Sequence, residues 1–436
     1  MAGTCGPGHL TPELTDAPAR PHEHTRWNFA VMVADASAFI TGVAFVSPAI
    51  VLPLFMERLT GSTVLVGVVM AMQMAGWYVP QLATASLVEH RPRKKPFILR
   101  VCAAGRLPLL LLPVLLLTAP LHRGLILAVF LGTQLLFFAS DGMTGVPWKD
   151  ICAKTIAPRM RGRFFGAMQL IGGVLAVGAG AAVRQILGHP RLPYPRDYAL
   201  LFAIEFALLM ASLGFLALMR EPLRPVREAR RGLWELVRAA PALLRAKPQL
   251  ARMVAVRWLA DTGAIAVPFY AVYARVELGV PEATAGIFIS AQMAGGIASG
   301  AGWALLSDRW GSKRVIQGSA LCSLIVPLFA WLAPPLLAAH GPAAFTYGYA
   351  FTFFLLGAII NGVWIGYTNF VLESVGDEER ASYVGLTNTL GAPAVLFPIL
   401  GGWAIGVTSY HVVFAVASAA AAAALAGTAW LREPRG

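Results

Sequence analysis

Charged side chains are scarce. Asp, Glu, Lys and Arg make up 13% of the chain, against about 25% in soluble domains, which excludes an ordinary water-soluble globular protein. Cysteine is scarce too: Cys5, Cys102, Cys152 and Cys322 are scattered without paired spacing, so no disulfide framework is expected. Residues 1–25 are polar and rich in Pro and His. They lack both an apolar core and a small-residue cleavage site, so they do not read as a signal peptide; a disordered tail over 1–26 is expected instead. His22 and His24 stand without further ligands, and neither a metal nor a cofactor is predicted. Gly178-Ala179-Gly180 follows no strand and is not a nucleotide loop. A nucleophile with its base is likewise missing, which argues against an enzyme.

Apolar residues are abundant: 57% of the chain is hydrophobic and mean hydropathy is +0.65. Tracts of about 20 apolar residues suffice to cross a hydrocarbon core of about 30 Å as helices, and helices satisfy their own backbone groups in lipid. Twelve such tracts run at about 27–55, 63–88, 97–118, 122–147, 164–187, 198–219, 251–276, 283–306, 315–338, 342–370, 382–406 and 409–431. An all-α polytopic membrane protein follows. The first tract is long for one crossing, and a tilt or kink near Pro48 and Pro53 is predicted.

The net charge of +13 would suit nucleic acid, but its distribution decides otherwise. Of the 35 Lys and Arg, six (Arg58, Arg123, Arg184, Arg191, Arg196 and Arg275) fall on one set of loops and two (Arg106 and Arg257) within spans, leaving 27 for the opposite side and the tails. That bias places both termini and the central linker in the cytoplasm of a plasma (inner) membrane, facing anionic lipids. It leaves no charge for nucleic acid to explain.

A shift of 219 positions superposes the chain partly on itself. Gln73-Met74-Ala75-Gly76 returns as Gln292-Met293-Ala294-Gly295, Gly67 as Gly286, Lys94-Lys95 as Lys313-Arg314, Arg161 as Arg380, Gly166 as Gly385 and Gly172 as Gly391. Matching points are separated by six spans, an even number, so the copies lie the same way up as parallel repeats. Two pseudo-symmetric six-helix bundles are predicted, at 27–219 and 251–431, joined by a linker over 220–250. The linker is rich in Arg and reads as an amphipathic segment on the inner leaflet.

After the eighth span, Ala304-Leu305-Leu306-Ser307-Asp308-Arg309-Trp310-Gly311-Ser312-Lys313-Arg314 resembles the loop signature of the major facilitator superfamily, with Ala304 in place of the leading Gly. The first copy, Glu89 through Lys94 and Lys95, keeps an acid and the basic pair but lacks the Gly. The resemblance covers essentially residues 27–431 and implies a transporter fold without naming a cargo. It further implies a cytoplasmic gate in which Glu89 and Asp308 act with Lys94, Lys95, Arg309, Gly311, Lys313 and Arg314. Arg161 and Arg380, at the repeated loops after spans 4 and 10, join that gate.

Ionised groups within spans are expensive and are functional candidates by default. In the superfamily's arrangement spans 1, 4, 7 and 10 line a central path, which implicates Asp35, Asp141, Arg257 and Asp261. Asp35 lies nine residues beyond Arg26, about 13 Å inward along a helix. It has no partner of opposite sign in its own span, so it can exchange between neutral and charged forms and carry a proton. Arg257 and Asp261, four apart, share a helix face and can pair. Gln73, Gln292, Asn361 and Trp364 add polar and aromatic surface suited to an amphiphilic molecule. The predicted activity is secondary active transport of a small organic solute by alternating access in a monomer, coupled to protons, with export favoured over uptake. A membrane receptor or assembly factor on the same fold, and a lipid flippase, are the alternatives.

Overall fold

In the computed structural model, residues 24–88, 92–222, 247–375 and 390–434 are described, together with Arg238, Leu244, Arg245, Tyr383, Leu386 and Thr387. Glu89, Arg380 and most of the expected tail and linker lie outside them. The described residues are helical and contain no strand. The first half comprises α1 (Thr25–Phe45), α2 (Val51–Thr60), α3 (Thr63–Val88), α4 (Lys95–Arg106), α5 (Leu111–Thr118), α6 (Arg123–Thr155), α7 (Arg161–Leu187) and α8 (Arg196–Leu218). The second comprises α9 (Pro248–Asp261), α10 (Phe269–Val276), α11 (Ala285–Trp310), α12 (Ser312–Trp331), α13 (Ala333–Ser374), α14 (Phe397–Val407) and α15 (Tyr410–Gly427).

Among the described residues, nine helices are long and apolar enough to cross a membrane. The other three expected spans differ for local reasons. The seventh is broken into α9 and α10 by a 3-10 turn at Thr262–Ile265 and by Pro268; the eighth, α11, is diluted by seven glycines and serines before its polar end; the eleventh is described only in part. Proline marks the other breaks as well: α1 stops at Phe45 and α2 starts at Val51, around Pro48, and α4 gives way to α5 through a 3-10 turn containing Pro108. At Gly341, inside α13, φ is +75°, a conformation that suits glycine.

The repeated residues turn out to be helix-packing residues. A side chain on Gly76 would overlap Phe138 of α6, and one on Gly295 would overlap Phe354 of α13. The duplicated Gln-Met-Ala-Gly therefore seals the same helix pair inside each bundle. Gly67 and Gly286 serve the contact between bundles: Gly67 of α3 abuts the Pro398 carbonyl of the eleventh span, and Gly286 of α11 abuts the Gly180 carbonyl of α7. Gly402 closes on the Thr63 carbonyl beside the first contact. Small residues permit such backbone approach in lipid, where apolar burial gives helices no reason to associate.

These contacts lie toward one end, here the far end, opposite the basic end that carries Lys94, Lys95, Lys154 and Lys313. The apolar cores follow the same division. At the far end one continuous cluster joins the halves, with Phe55, Phe130 and Phe202 from the first and Phe269, Tyr273, Phe288 and Phe414 from the second. At the basic end the described residues form two separate clusters, one around Met32, Ile98, Ile151 and Phe164 and one around Met253, Ile316, Phe370 and Tyr383. The bundles are joined at the far end and cored independently at the basic end.

Gly286→Val would press methyl groups into the Gly180 carbonyl and the Arg184 backbone. Overpacking of this kind costs about 1–3 kcal/mol. The expected result is a lower unfolding midpoint and faster thiol labelling of a cysteine placed at Val69, which is buried in the native packing.

Candidate functional site

Between the bundles, toward the basic end, lies a cavity of about 550 Å³. The first half contributes Met74, Trp77 and Tyr78 from α3 and Lys149 from α6; the second contributes Arg257, Asp261, Tyr270, Trp364 and Tyr367 among others. The break after Asp261 ends α9 and leaves its last turn at the cavity wall. Arg257 Nε donates to Asp261 Oδ2 at 3.4 Å, and its guanidinium stands 5.3 Å from the centre of the Tyr367 ring. From the other bundle, the Tyr78 hydroxyl also meets Arg257. Lys149 Nζ lies 5.2 Å from the centre of the Trp364 ring, a cation–π contact that crosses from bundle to bundle.

A second polar group is enclosed within the first bundle. Asp35 on α1 is buried; its Oδ1 accepts from the Ser212 hydroxyl at 2.6 Å and its Oδ2 from Trp148 Nε1 at 3.4 Å. Arg106 on α4 donates to the Leu209 carbonyl at 2.9 Å and to Ser212 Oγ at 3.1 Å. Its charge acts on both Asp35 and Asp141. Ser212 thus stands between Arg106 and Asp35, and Asp141 lies within electrostatic reach of the same guanidinium.

Depth along a helix did not reveal which face would turn to the cavity. Arg257, Asp261 and Trp364 line it, whereas Asp35 is buried inside its own bundle, and Asp141, Gln73, Gln292 and Asn361 are not in the wall. Asn361 donates to the Gly296 carbonyl at 2.6 Å and ties α13 to α11. Gln292 is buried where its backbone meets Gly357.

At the far end a set of charges joins the halves. Arg58 pairs with Glu282, Arg275 pairs with Glu57, and the Tyr198 hydroxyl donates to Glu282. Tyr194, in the loop before α8, lies beneath Arg58 with its ring centre 4.4 Å from the guanidinium carbon. No motif announces the two ion pairs, which join residues more than 200 positions apart.

At the basic end the ion pairs among the described residues stay within each bundle. Asp150 pairs with Lys94 at 2.8 Å and Lys154 at 2.9 Å, and Arg161 donates to the Ala153 carbonyl at 2.9 Å, closing the end of α6. Asp308 and Arg309 are exposed at the end of α11. Gly311 turns the chain with φ +82°, and the Lys313 amide donates to Glu433 at 3.1 Å, while Arg314 reaches Gln317 at 3.0 Å. In the first bundle Glu221 does the work of Glu433, accepting from the Lys94 and Lys95 amides at 2.9 and 2.8 Å. Both acids stand in Arg-Glu-Pro, at 220–222 and 432–434. That repeat, at an offset of 212 rather than 219, was the available signal for a pair of N-terminal helix caps.

Glu282 accepts from one phenol and pairs with Arg58 across the bundles. Glu282→Gln is expected to cost the joined far end about 1.5–3 kcal/mol, the worth of hydrogen bonds to a charged group. Double-mutant cycles with Arg58→Gln, read by thermal unfolding, would then show coupling; independent effects would deny the pair any role in closure.

The sequence model described as Major Facilitator Superfamily matches residues 171–395 and 262–436, and the chain belongs to that family. Solved structures agree on the fold. A mutant of the nucleoside transporter NupG aligns with a TM-score of 0.70 at 14% identity, over 93% of this chain and 99% of that chain. The POT family transporter PepTSo gives 0.66 at 11% identity, over 93% and 98%. A bacterial homologue of the iron transporter ferroportin, in its inward-facing state, gives 0.63 at 14%, also over 93% and 98%. No curated protein sequence matches. The chain is thus a multi-pass membrane transporter of the superfamily.

Proposed function

We propose that this transporter is a proton-coupled secondary active carrier of a small organic solute that works by alternating access. The observation that carries the reading is the division of the core: one apolar cluster joins the halves at the far end, two separate clusters serve the basic end, and the cavity lies between them. A rocking exchange of these two arrangements would present the cavity to either side of the membrane. With the basic end in the cytoplasm of the plasma (inner) membrane, as the positive-inside bias favours, this conformation faces inward. The bundles at 27–219 and 251–431 are the rocking units. Export is the preferred direction, since the apolar and aromatic wall suits an amphiphilic compound collected from the cytoplasmic side.

Proton coupling is assigned to the enclosed group of the first bundle. Asp35 and Asp141 outnumber Arg106, and charge separated from water is costly; a proton on one carboxyl balances the set. Groups facing Asp35 are Ser212 and Trp148, with Arg106 and Asp141 within electrostatic reach. Because this cluster and the cavity are distinct, cargo and proton would bind at different places and communicate through α6, which holds Asp141, Trp148 and Lys149.

Proteoliposomes containing a pH-sensitive dye test the coupling. Solute-driven proton movement should be lost in Asp35→Asn while solute exchange at equal pH persists. Full proton-dependent transport by that variant would remove Asp35 from the mechanism.

A further inference from the structure

Three charged side chains line the central cavity among the described residues: Lys149, Arg257 and Asp261. Two of them answer each other, since Asp261 engages Arg257 Nε at 3.4 Å. Lys149 remains. The neighbouring Asp150 turns to Lys94 and Lys154 instead, and no carboxylate among the described residues pairs with Lys149. Its ammonium rests over Trp364, a ring exposed in the cavity.

We propose that the cargo is an aromatic or similarly planar organic anion whose acidic group is received by Lys149 and Arg257. The proposal rests on the transport reading and specifies its substrate. Among the described residues the cavity holds one positive charge that no carboxylate answers, so an anion entering it finds a partner and a cation does not. A cationic solute would have to displace Lys149 from Trp364 and would meet one carboxylate, already held by Arg257. An anion instead draws Lys149 off the ring and frees that face for its own apolar body. Arg257 keeps further donors after Asp261 takes Nε, because a guanidinium presents five, and it binds oxyanions well. Trp77, Tyr78 and Tyr367 supply the remaining flat surface. About 550 Å³ lies within the usual range of small-molecule sites.

Placement adds a mechanical consequence. Lys149 belongs to the first bundle and Arg257 to the second, so an anion held by both spans the gap where the two basic-end cores are separate. Filling the site would draw the open ends together, which is the step that loading must trigger in a rocking carrier.

Matched probes that differ in charge test the assignment: naphthoate, naphthylmethylamine and naphthalenemethanol, each titrated against the purified full chain with thermal unfolding as readout. Naphthoate should raise the midpoint and the amine should not. Lys149→Gln should weaken naphthoate about tenfold or more, the usual worth of a charged hydrogen bond, whereas Lys149→Arg should stay within a few-fold of the parent. Without probe, Lys149→Gln should unfold where the parent does, since this side chain is exposed in the cavity. The proposal is overturned if the amine stabilises more than naphthoate, if no probe stabilises, or if Lys149→Gln binds naphthoate unchanged. None of these results bears on transport itself, which the solute-exchange measurement on Asp35→Asn and its parent addresses separately.

Discussion

The structure depends on two places where backbone meets backbone across the halves: Gly67 against Pro398, and Gly286 against Gly180. In a bilayer the lipid tails are as apolar as leucine, so helices join through close packing rather than through exclusion of water. Glycine at these points lets carbonyls approach where any side chain would stand in the way. With the far end fastened by such contacts, the shared aromatic core and the Glu57, Arg58, Arg275 and Glu282 charges gather around them. The cavity can then exist only on the remaining side.

Charge is distributed between two sites of different character. In the first bundle Asp35 and Arg106 are buried with Asp141 half-buried beside them, and in the cavity Lys149, Arg257 and Asp261 line open space. The sharing of α6 between them gives the two sites a mechanical connection: Trp148 touches Asp35, and Lys149, the next residue, touches Trp364 in the opposite bundle. A rotation of α6 that serves one contact necessarily moves the other.

The fold was legible because its determinants repeat and are local. Apolar length located the helices, the 219-residue register disclosed the doubling, and the four-residue spacing of Arg257 and Asp261 disclosed their ion pair. The site was less legible because membrane helices are apolar on every side. The α1 sequence around Asp35 does not separate a face toward the cavity from a face toward α8, and only the packed bundle shows Ser212 opposite it. Lys149 reads in the sequence as one of many bases at the cytoplasmic end; what sets it apart is that no carboxylate among the described residues pairs with it. The pairs at the far end were invisible for a related reason, since Arg58 and Glu282 are brought together by the contact of two bundles and not by any local pattern.

The two halves are not exact copies, and the difference has a location. The register of 219 still holds at Gly172 and Gly391, but by Glu221 and Glu433 it has become 212, a change of seven positions. Most of it lies in one turn, where α7 and α8 are separated by residues 188–195 and their counterparts α14 and α15 only by 408–409. The longer turn is the one that provides Tyr194 under Arg58. Divergence of the twins was therefore accommodated outside the bilayer, where a loop can grow without altering the length of any helix, and it equipped one twin alone with an aromatic ring on which the seam's Arg58 rests.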